Sequence, residues 1–391
     1  MINNILLWML LLPLILSGLS VWVTPRITRG QMTIGKSVIF AGVGLLISTL
    51  ILAVAFYAGK GSKTGDTEIW NGEVISKERV HGDYKRSYDC NCKSINSCSG
   101  SGKNRSCTTS QKCDTCYEDH YTVSWNCKSN IGGWRIDHAD RTSRSVYSLP
   151  DPPRYSIIKP GDPVARANSY TNYIKAVPSS LFRPAQESLK VQFANQIPAY
   201  PINVYDFYKV DRVVPVGVSI PNAREWNDKL SDVLKKLGPA KQANAVVVIT
   251  KSADPNYFYA LQDAWQNGKK NDIVLVIGAP EFPKKAAWVN VMALTENNIF
   301  QVKLRDDILA LEELTADAVI GVVQKNGAES FKRKRMRDFQ YLEDEIDPPE
   351  WVMWTSMILI LGAYLGFWFA LRIQFAQVSP RLHSVYNRTY R

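Results

Sequence analysis

The chain has 391 residues, 46% hydrophobic and 21% charged, with 11% aromatic content and seven cysteines; that balance excludes a disordered protein and leaves room for more than one folded unit. Its formal net charge of +11 would point to an anionic partner if the charges sat together on a folded surface, and they do not. Arg26, Arg29 and Lys36 lie between the first two apolar runs, and Arg372, Arg381, Arg388 and Arg391 lie in the tail, segments without Asp or Glu. The excess is therefore a topology signal, the rest of the chain is close to neutral, and no nucleic-acid partner is expected.

Residues 5–23, 37–58 and 351–371 hold no charged side chain. About 20 residues at ~1.5 Å rise cross a ~30 Å hydrocarbon core, so three transmembrane helices are expected, with the lipid bilayer as a partner. A cleaved signal peptide is disfavoured for the first run, because residues 1–4 carry no Lys or Arg and no small-residue cleavage pattern follows. The basic segments mark the cytoplasmic side of an inner membrane. The N-terminus is then outside, residues 59–350 are periplasmic and the C-terminus is cytoplasmic. The expected organisation is a transmembrane hairpin over 1–58, a Cys-rich β unit over 59–176, a connection over 177–212, an α/β module over 213–350, a span over 351–371 and a basic tail over 372–391. GKGSKTG at 59–65 lacks phosphate-loop spacing and reads as a linker leaving the membrane.

EIWNGEVISKERV, HYTVSWNCKS and GGWRIDHAD show the alternation and turn residues of β-strands. Among them lie Cys90, Cys92, Cys98, Cys107, Cys113, Cys116 and Cys127, and no cysteine occurs elsewhere. On the outer side of an inner membrane thiols oxidise, and a loop rich in Ser, Gly, Lys and Asn buries little apolar surface, so disulfides are the favoured reading. Seven is odd, which leaves at least one thiol free or paired between chains. Zinc is the alternative: Cys113-x-x-Cys116 with Cys90-x-Cys92 upstream, and His120 or Cys127 as a further ligand, has knuckle spacing. Asp137 and Asp140 in DHAD are a weaker metal candidate. The Pro-rich stretch at 149–178 reads as a surface connection.

From about Val213 strands and helices alternate. VVPVGVSIP is strand-like, Trp226, Leu230, Val233, Leu234 and Leu237 fall at helical spacing, and Gly238-Pro239 marks the helix end. NAVVVIT and NDIVLVIG are continuous runs of the kind covered on both faces, with Tyr257, Leu261, Ala264 and Trp265 marking a helix between them. AAWVNVMAL and NIFQVKL read as two more strands, and 315–345 as helix. The fold class is membrane-anchored α+β, ending in an α/β sandwich. WQNGKKND places Trp265, Gly268, Lys269, Lys270 and Asp272 in a helix-to-strand loop, a possible binding loop. KRKRMR at 332–337 reads as a solvated helix face. None of the four histidines, His81, His120, His138 and His383, lies in the α/β module, which excludes a histidine-based triad built wholly within it. Asp228, Asp232, Asp254, Asp263, Asp272, Asp306 and Asp307 have no EF-hand spacing but are oxygen donors for a divalent cation.

WNDKLSDVLKKL before ANAVVVIT, the Trp265/Gly268 loop before IVLVIG, the paired strands, the final helix and the terminal span resemble the TPM domain, a small α/β fold displayed outside a membrane. That resemblance implies phosphatase-like activity, metal binding or modulation of membrane partners. Over its whole length, through CNC, CDTCYE, SYTNYIKAVPSSLF, IPAYP and AWQNGKKND in that order, the chain resembles a set of membrane proteins encoded by large tailed bacteriophages. This second resemblance implies insertion in the membrane of an infected bacterium and no established activity. The expectation drawn from all of this is a non-catalytic module, with no cofactor required, that binds a protein of the host envelope. A metal-assisted phosphatase-like hydrolase is the alternative.

Overall fold

A computed structural model describes residues 4–99, 106–177, 185–206 and 208–386. Arg388 and Arg391 of the basic tail fall outside them. The elements run α1 (Asn4–Ile27), α2 (Ile34–Thr64), β1 (Gly65–Ser99), β2 (Ser106–Ser129) and β3 (Gly132–Arg141). They continue with α3 (Pro153–Ile157), β4 (Pro163–Thr171), α4 (Tyr173–Ala176), α5 (Glu187–Phe193), β5 (Val213–Val216), α6 (Ala223–Lys241), β6 (Asn244–Thr250) and α7 (Tyr257–Ala264). Last come β7 (Asp272–Gly278), β8 (Trp288–Ala293), α8 (Ile299–Leu309), α9 (Ala316–Ser330) and α10 (Glu350–Tyr386). Two compact units result: Met1–Asp66 with Ser169–Pro184 and Arg335–Arg391, and Thr67–Asn168 with Ala185–Lys334.

In the first unit α2 and α10 are long and apolar enough to cross a membrane, with mean hydropathy of 2.6 and 1.8 over their most apolar stretches, and Leu11–Ile27 of α1 is a shorter apolar helix. Met9 and Leu16 of α1, Leu52 of α2 and Met353, Met357, Ile360 and Tyr364 of α10 form one buried cluster. Tyr364 reaches through it to Ser17, hydroxyl to hydroxyl at 2.8 Å. Gly44 permits this, because a Cβ there would collide with the Tyr364 hydroxyl. GKGSKTG is not a linker: α2 continues through it. Gly59 lies so close to Pro348 that a side chain would clash, and Lys60 Nζ donates to the Glu343 carbonyl at 3.2 Å, which holds these last turns helical.

The second unit holds two four-stranded sheets. The first has the order β3-β2-β1-β4, over a core that includes Val74, Val123, Trp125, Val146, Tyr155, Ile158 and Val164. The Pro-rich stretch expected to be a connection contains α3 and β4. Pro163 starts the strand, a position where its missing N–H costs nothing, and Val164 and Ala165 are buried behind it. Pairing of β1 with β2 runs from Val74↔Ser129 to Ser99↔Ser106, whereas β3 accompanies β2 only as far as Tyr121. Beyond that point β1 and β2 continue as a two-stranded arm roughly 50 Å long at ~3.3 Å per residue.

The second sheet has the order β5-β6-β7-β8, the first three parallel and the last antiparallel. Every residue of β6 and β7 is buried, as continuous β-branched runs require. Val247, Ile249, Ile273 and Leu275 pack with α6, α8 and α9, and Val246, Val248, Val274 and Val276 with α5 and α7. Since α6 and α7 cover opposite faces while the strand order advances in one direction, the two crossovers have opposite hands, and one is of the rare left-handed kind. NIFQVKL is helix rather than strand: Phe300, Leu304 and Ile308 recur every four residues on the buried side of α8, and that period overrides its β-rich composition. α6 runs through Pro239 to Lys241. The helical pattern of 315–345 divides into α9 and a 3-10 segment, Met336–Glu345, so Lys332–Arg335 of KRKRMR lie between the two and only Met336 and Arg337 are helical.

Candidate functional site

The arm gathers six of the seven cysteines into three disulfides, Cys90–Cys116, Cys92–Cys113 and Cys98–Cys107. Cys98 and Cys107 are directly opposed in the ladder, and a register shift between Cys90 and Lys93 brings the other two pairs together. Cys127 is the free thiol, buried in the sheet core, where burial pushes its pKa up and keeps it protonated and inert. Apart from the half-buried Cys90, Cys113 and Cys116, residues 83–99 and 107–119 are exposed throughout. They include Tyr84, Tyr88, Ile95 and Tyr117 among Ser, Thr and Asn. Rigid tyrosines amid adaptable hydroxyl and amide groups are the composition of protein-binding loops.

His120 pins the base of the arm. Its buried ring lies with Nδ1 2.7 Å from Asp140 Oδ1 of β3 and Nε2 3.0 Å from Glu118 Oε1 of β2. Tyr84 of β1 donates to Asp140 Oδ2 at 2.6 Å and stacks on the imidazole. Carboxylates only accept, so both bonds require the doubly protonated ring. The hydrogen bonds to Glu118 and Asp140 raise the His120 pKa above 6.5, and those from Tyr84 and His120 hold Asp140 below the usual carboxylate range. A chemical-shift titration is expected to place the His120 midpoint above 6.5. The stability this clamp contributes is complete below the unfolded value near 6.5 and is lost as pH rises through the raised folded value. A midpoint at or below 6.5 would show that the clamp does not form. Of the DHAD motif, Asp140 serves this clamp, while His138 Nδ1 meets Ser124 Oγ at 2.8 Å.

Apart from the exposed Gln266 and the half-buried Lys269 and Lys270, the WQNGKKND loop is buried, packed into a polar seam between β1 and the amino ends of β5–β7. Trp265 Nε1 donates to the Pro198 carbonyl at 2.8 Å, and Gly268 takes φ +74° against the Asp272 carboxylate. Asp272, buried, accepts from Lys269 N at 2.6 Å, Tyr200 OH at 2.7 Å and Asn244 Nδ2 at 3.0 Å; burial nonetheless pushes its carboxyl up. Lys270 pairs with the buried Glu68 at 3.0 Å. The cation of the seam is Arg212, fully buried, whose Nε donates to Asn244 Oδ1 at 2.9 Å and whose Nη2 donates to Asn71 Oδ1 of β1. Desolvation lowers its guanidinium to about 10. Asn244 thus bridges a buried cation and a buried anion.

The carboxyl ends of parallel strands are where open α/β sheets bind ligands, in the crevice at a reversal of strand order. Here the order does not reverse. Trp288 also lies across those ends, with Nε1 donating to the Ser252 carbonyl at 3.0 Å and its ring so close to Gly278 that a Cβ there would overlap it. The candidate carboxylates are dispersed. Asp254 caps its own loop through Asn256 N at 2.9 Å, Asp263 pairs with Lys190, Asp232 with Lys235, Asp228 with Arg224, Asp306 with Arg305, and Asp307 accepts from Asn326. Among the described residues no group of three or more His, Cys, Asp or Glu side chains is gathered to hold a metal ion. No protein-family model, curated protein or solved structure matches the chain.

Proposed function

We propose that this chain is a membrane-tethered, non-catalytic binding protein whose recognition element is the disulfide-laddered arm. The observation that carries this reading is the arm itself: a two-stranded ribbon, marginal in water without help, is stapled three times and left exposed, with tyrosines on both of its faces. Tyr84 and Tyr88 share one face, and Tyr117, opposite Ser87, occupies the other. The disulfides favour the oxidising side of a membrane, hence a periplasmic location with the N-terminus outside and the C-terminus inside. We assign α1 as a third span. Trp22, Phe40 and Phe367 on α1, α2 and α10, followed by Arg26, Lys36 and Arg372, fit an aromatic belt and basic flank at the inner interface, with Tyr57, Trp351 and Trp354 at the outer one. The phage and TPM resemblances suggest a host envelope protein as the partner and an α/β module that serves as a platform. The dispersed carboxylates and the Trp288 cap favour binding over phosphatase-like hydrolysis.

A photo-crosslinking residue at Tyr117, in full-length protein in intact cells, is expected to give one discrete adduct with an envelope protein, while the same residue at Glu313 in the α/β module gives none. Tyr88→Ala in the Tyr117 background should reduce that adduct at least five-fold. Adducts from Glu313 alone, or turnover of a phosphomonoester that is lost on substitution of Asp254, would refute the assignment.

A further inference from the structure

A cleft of about 320 Å³ opens among the helices of the first unit, lined by Phe40, Val43, Gly44 and Ile47 of α2 and by Ala363 and Phe367 of α10. Its polar neighbours are already satisfied: Ser48 Oγ donates to the Gly44 carbonyl at 2.7 Å, Ser20 Oγ to Leu16 at 2.9 Å, and Tyr364 is bonded to Ser17. An occupant therefore has to be apolar. It also has to be slender, since one turn of helix, ~10 Å wide and ~5.4 Å high, fills ~420 Å³ by itself. The lining runs along α2 from Phe40 to Ile51, or ~16 Å at ~1.5 Å per residue, about half of a ~30 Å hydrocarbon core.

One end of the cleft is electrically distinct. Phe40 and Phe367 close it with ring centroids 5.7 Å apart. Lys36 stands one turn beyond Phe40 on the same side of α2, and Arg372 follows Phe367 on α10, both exposed. No Asp or Glu occurs among residues 1–65 or after Glu350, so nothing in these helices neutralises them. An apolar slot one leaflet deep with an uncompensated basic mouth matches a lipid that has an anionic headgroup.

We infer that this cleft holds an acyl chain of an anionic phospholipid from the leaflet at the basic ends of α2 and α10, with Lys36 and Arg372 facing its phosphate; the inference rests on the membrane-spanning reading proposed above. A second copy of the chain is the competing occupant. The test is native mass spectrometry of the full-length protein, released from detergent containing equal amounts of phosphatidylglycerol and phosphatidylcholine. Wild type is expected to retain one lipid, with phosphatidylglycerol preferred by about five-fold for each basic residue. Lys36→Gln with Arg372→Gln should bring that preference close to one, and Val43→Trp, which fills the cleft from an exposed position, should cut retention of both lipids. Equal retention of the two headgroups by wild type, unchanged retention in Val43→Trp, or a lipid-free dimer would overturn the inference. A carbonate wash separates the two readings: protein that stays in the membrane but shows no preference sinks the lipid site alone, whereas protein released by carbonate sinks the membrane-spanning reading, and the site with it.

Discussion

Replacing Arg212 by Ala is expected to lower the stability of the second unit by about 3–5 kcal/mol, the range for removing one member of a buried charged network. The guanidinium donates to Asn71 and Asn244, and through Asn244 it is linked to the Asp272 carboxylate. Its removal leaves the buried Asn71 Oδ1 without its donor, at about 1–3 kcal/mol, while Asn244 Oδ1 keeps the bond from Asn71 Nδ2 at 3.1 Å, and it opens a void where a fully buried side chain stood. Arg212→Lys should recover only part of the loss, since an ammonium cannot reproduce a planar fork aimed at two amides. Urea unfolding of wild type, Arg212→Ala, Asn71→Ala and the double variant would measure the coupling. A coupling energy of about 1–3 kcal/mol is expected for residues within one network. Additive losses would mean that β1 and the α/β module are held together by other contacts, and the seam would lose its role.

How far the sequence could be read depended on how local each determinant is. NAVVVIT and NDIVLVIG declare themselves because a strand buried on both faces has to be apolar throughout. The disulfides are legible in the clustering of the cysteines in a loop poor in apolar residues, but their pairing depends on register, set here by a shift between Cys90 and Lys93 that no residue pattern announces. β4 was hidden because its flanking prolines carry the stronger local signal, and α8 because Phe300, Leu304 and Ile308 are separated by residues that are themselves β-formers. The seam is legible only in part: the WQNGKKND loop stands out in the sequence, but the partners it packs against do not. Asn71 and Arg212 are 141 residues apart, and a lone arginine near a strand reads as surface until its partners are known. His120 has the spacing of a zinc ligand, and what the spacing does not announce is that Asp140 and Glu118 lie within hydrogen-bond distance of its two ring nitrogens.

Reducing the three disulfides is expected to unfold the arm while the α/β module stays intact. Outside the bridges the arm has little to hold it: its residues are mostly exposed, no third strand accompanies it among the described residues, and a lone two-stranded ribbon is marginal in water. A single bridge closing a loop of this size restricts the unfolded chain by about 2–4 kcal/mol. The three are nested, with sequence separations of 9, 21 and 26 residues, so each inner bridge shortens the loop that the next one closes and the contributions are less than additive. Two core clusters pack the α/β sheet without a single cysteine, so a reductant has nothing to act on there. Limited trypsin treatment of full-length protein distinguishes the cases. Oxidised protein should resist cleavage at Lys93 and Lys112; reduced protein should be cut there at least ten-fold faster, with the fragment from Val213 onward still protected. Substitution of Cys98 and Cys107 by Ser should produce part of this effect, because the innermost loop loses its closure while the outer bridges remain. If the reduced arm keeps its protection, strand pairing alone holds it, and the disulfides cease to be evidence for a binding element built to stay rigid outside the cell's reducing interior.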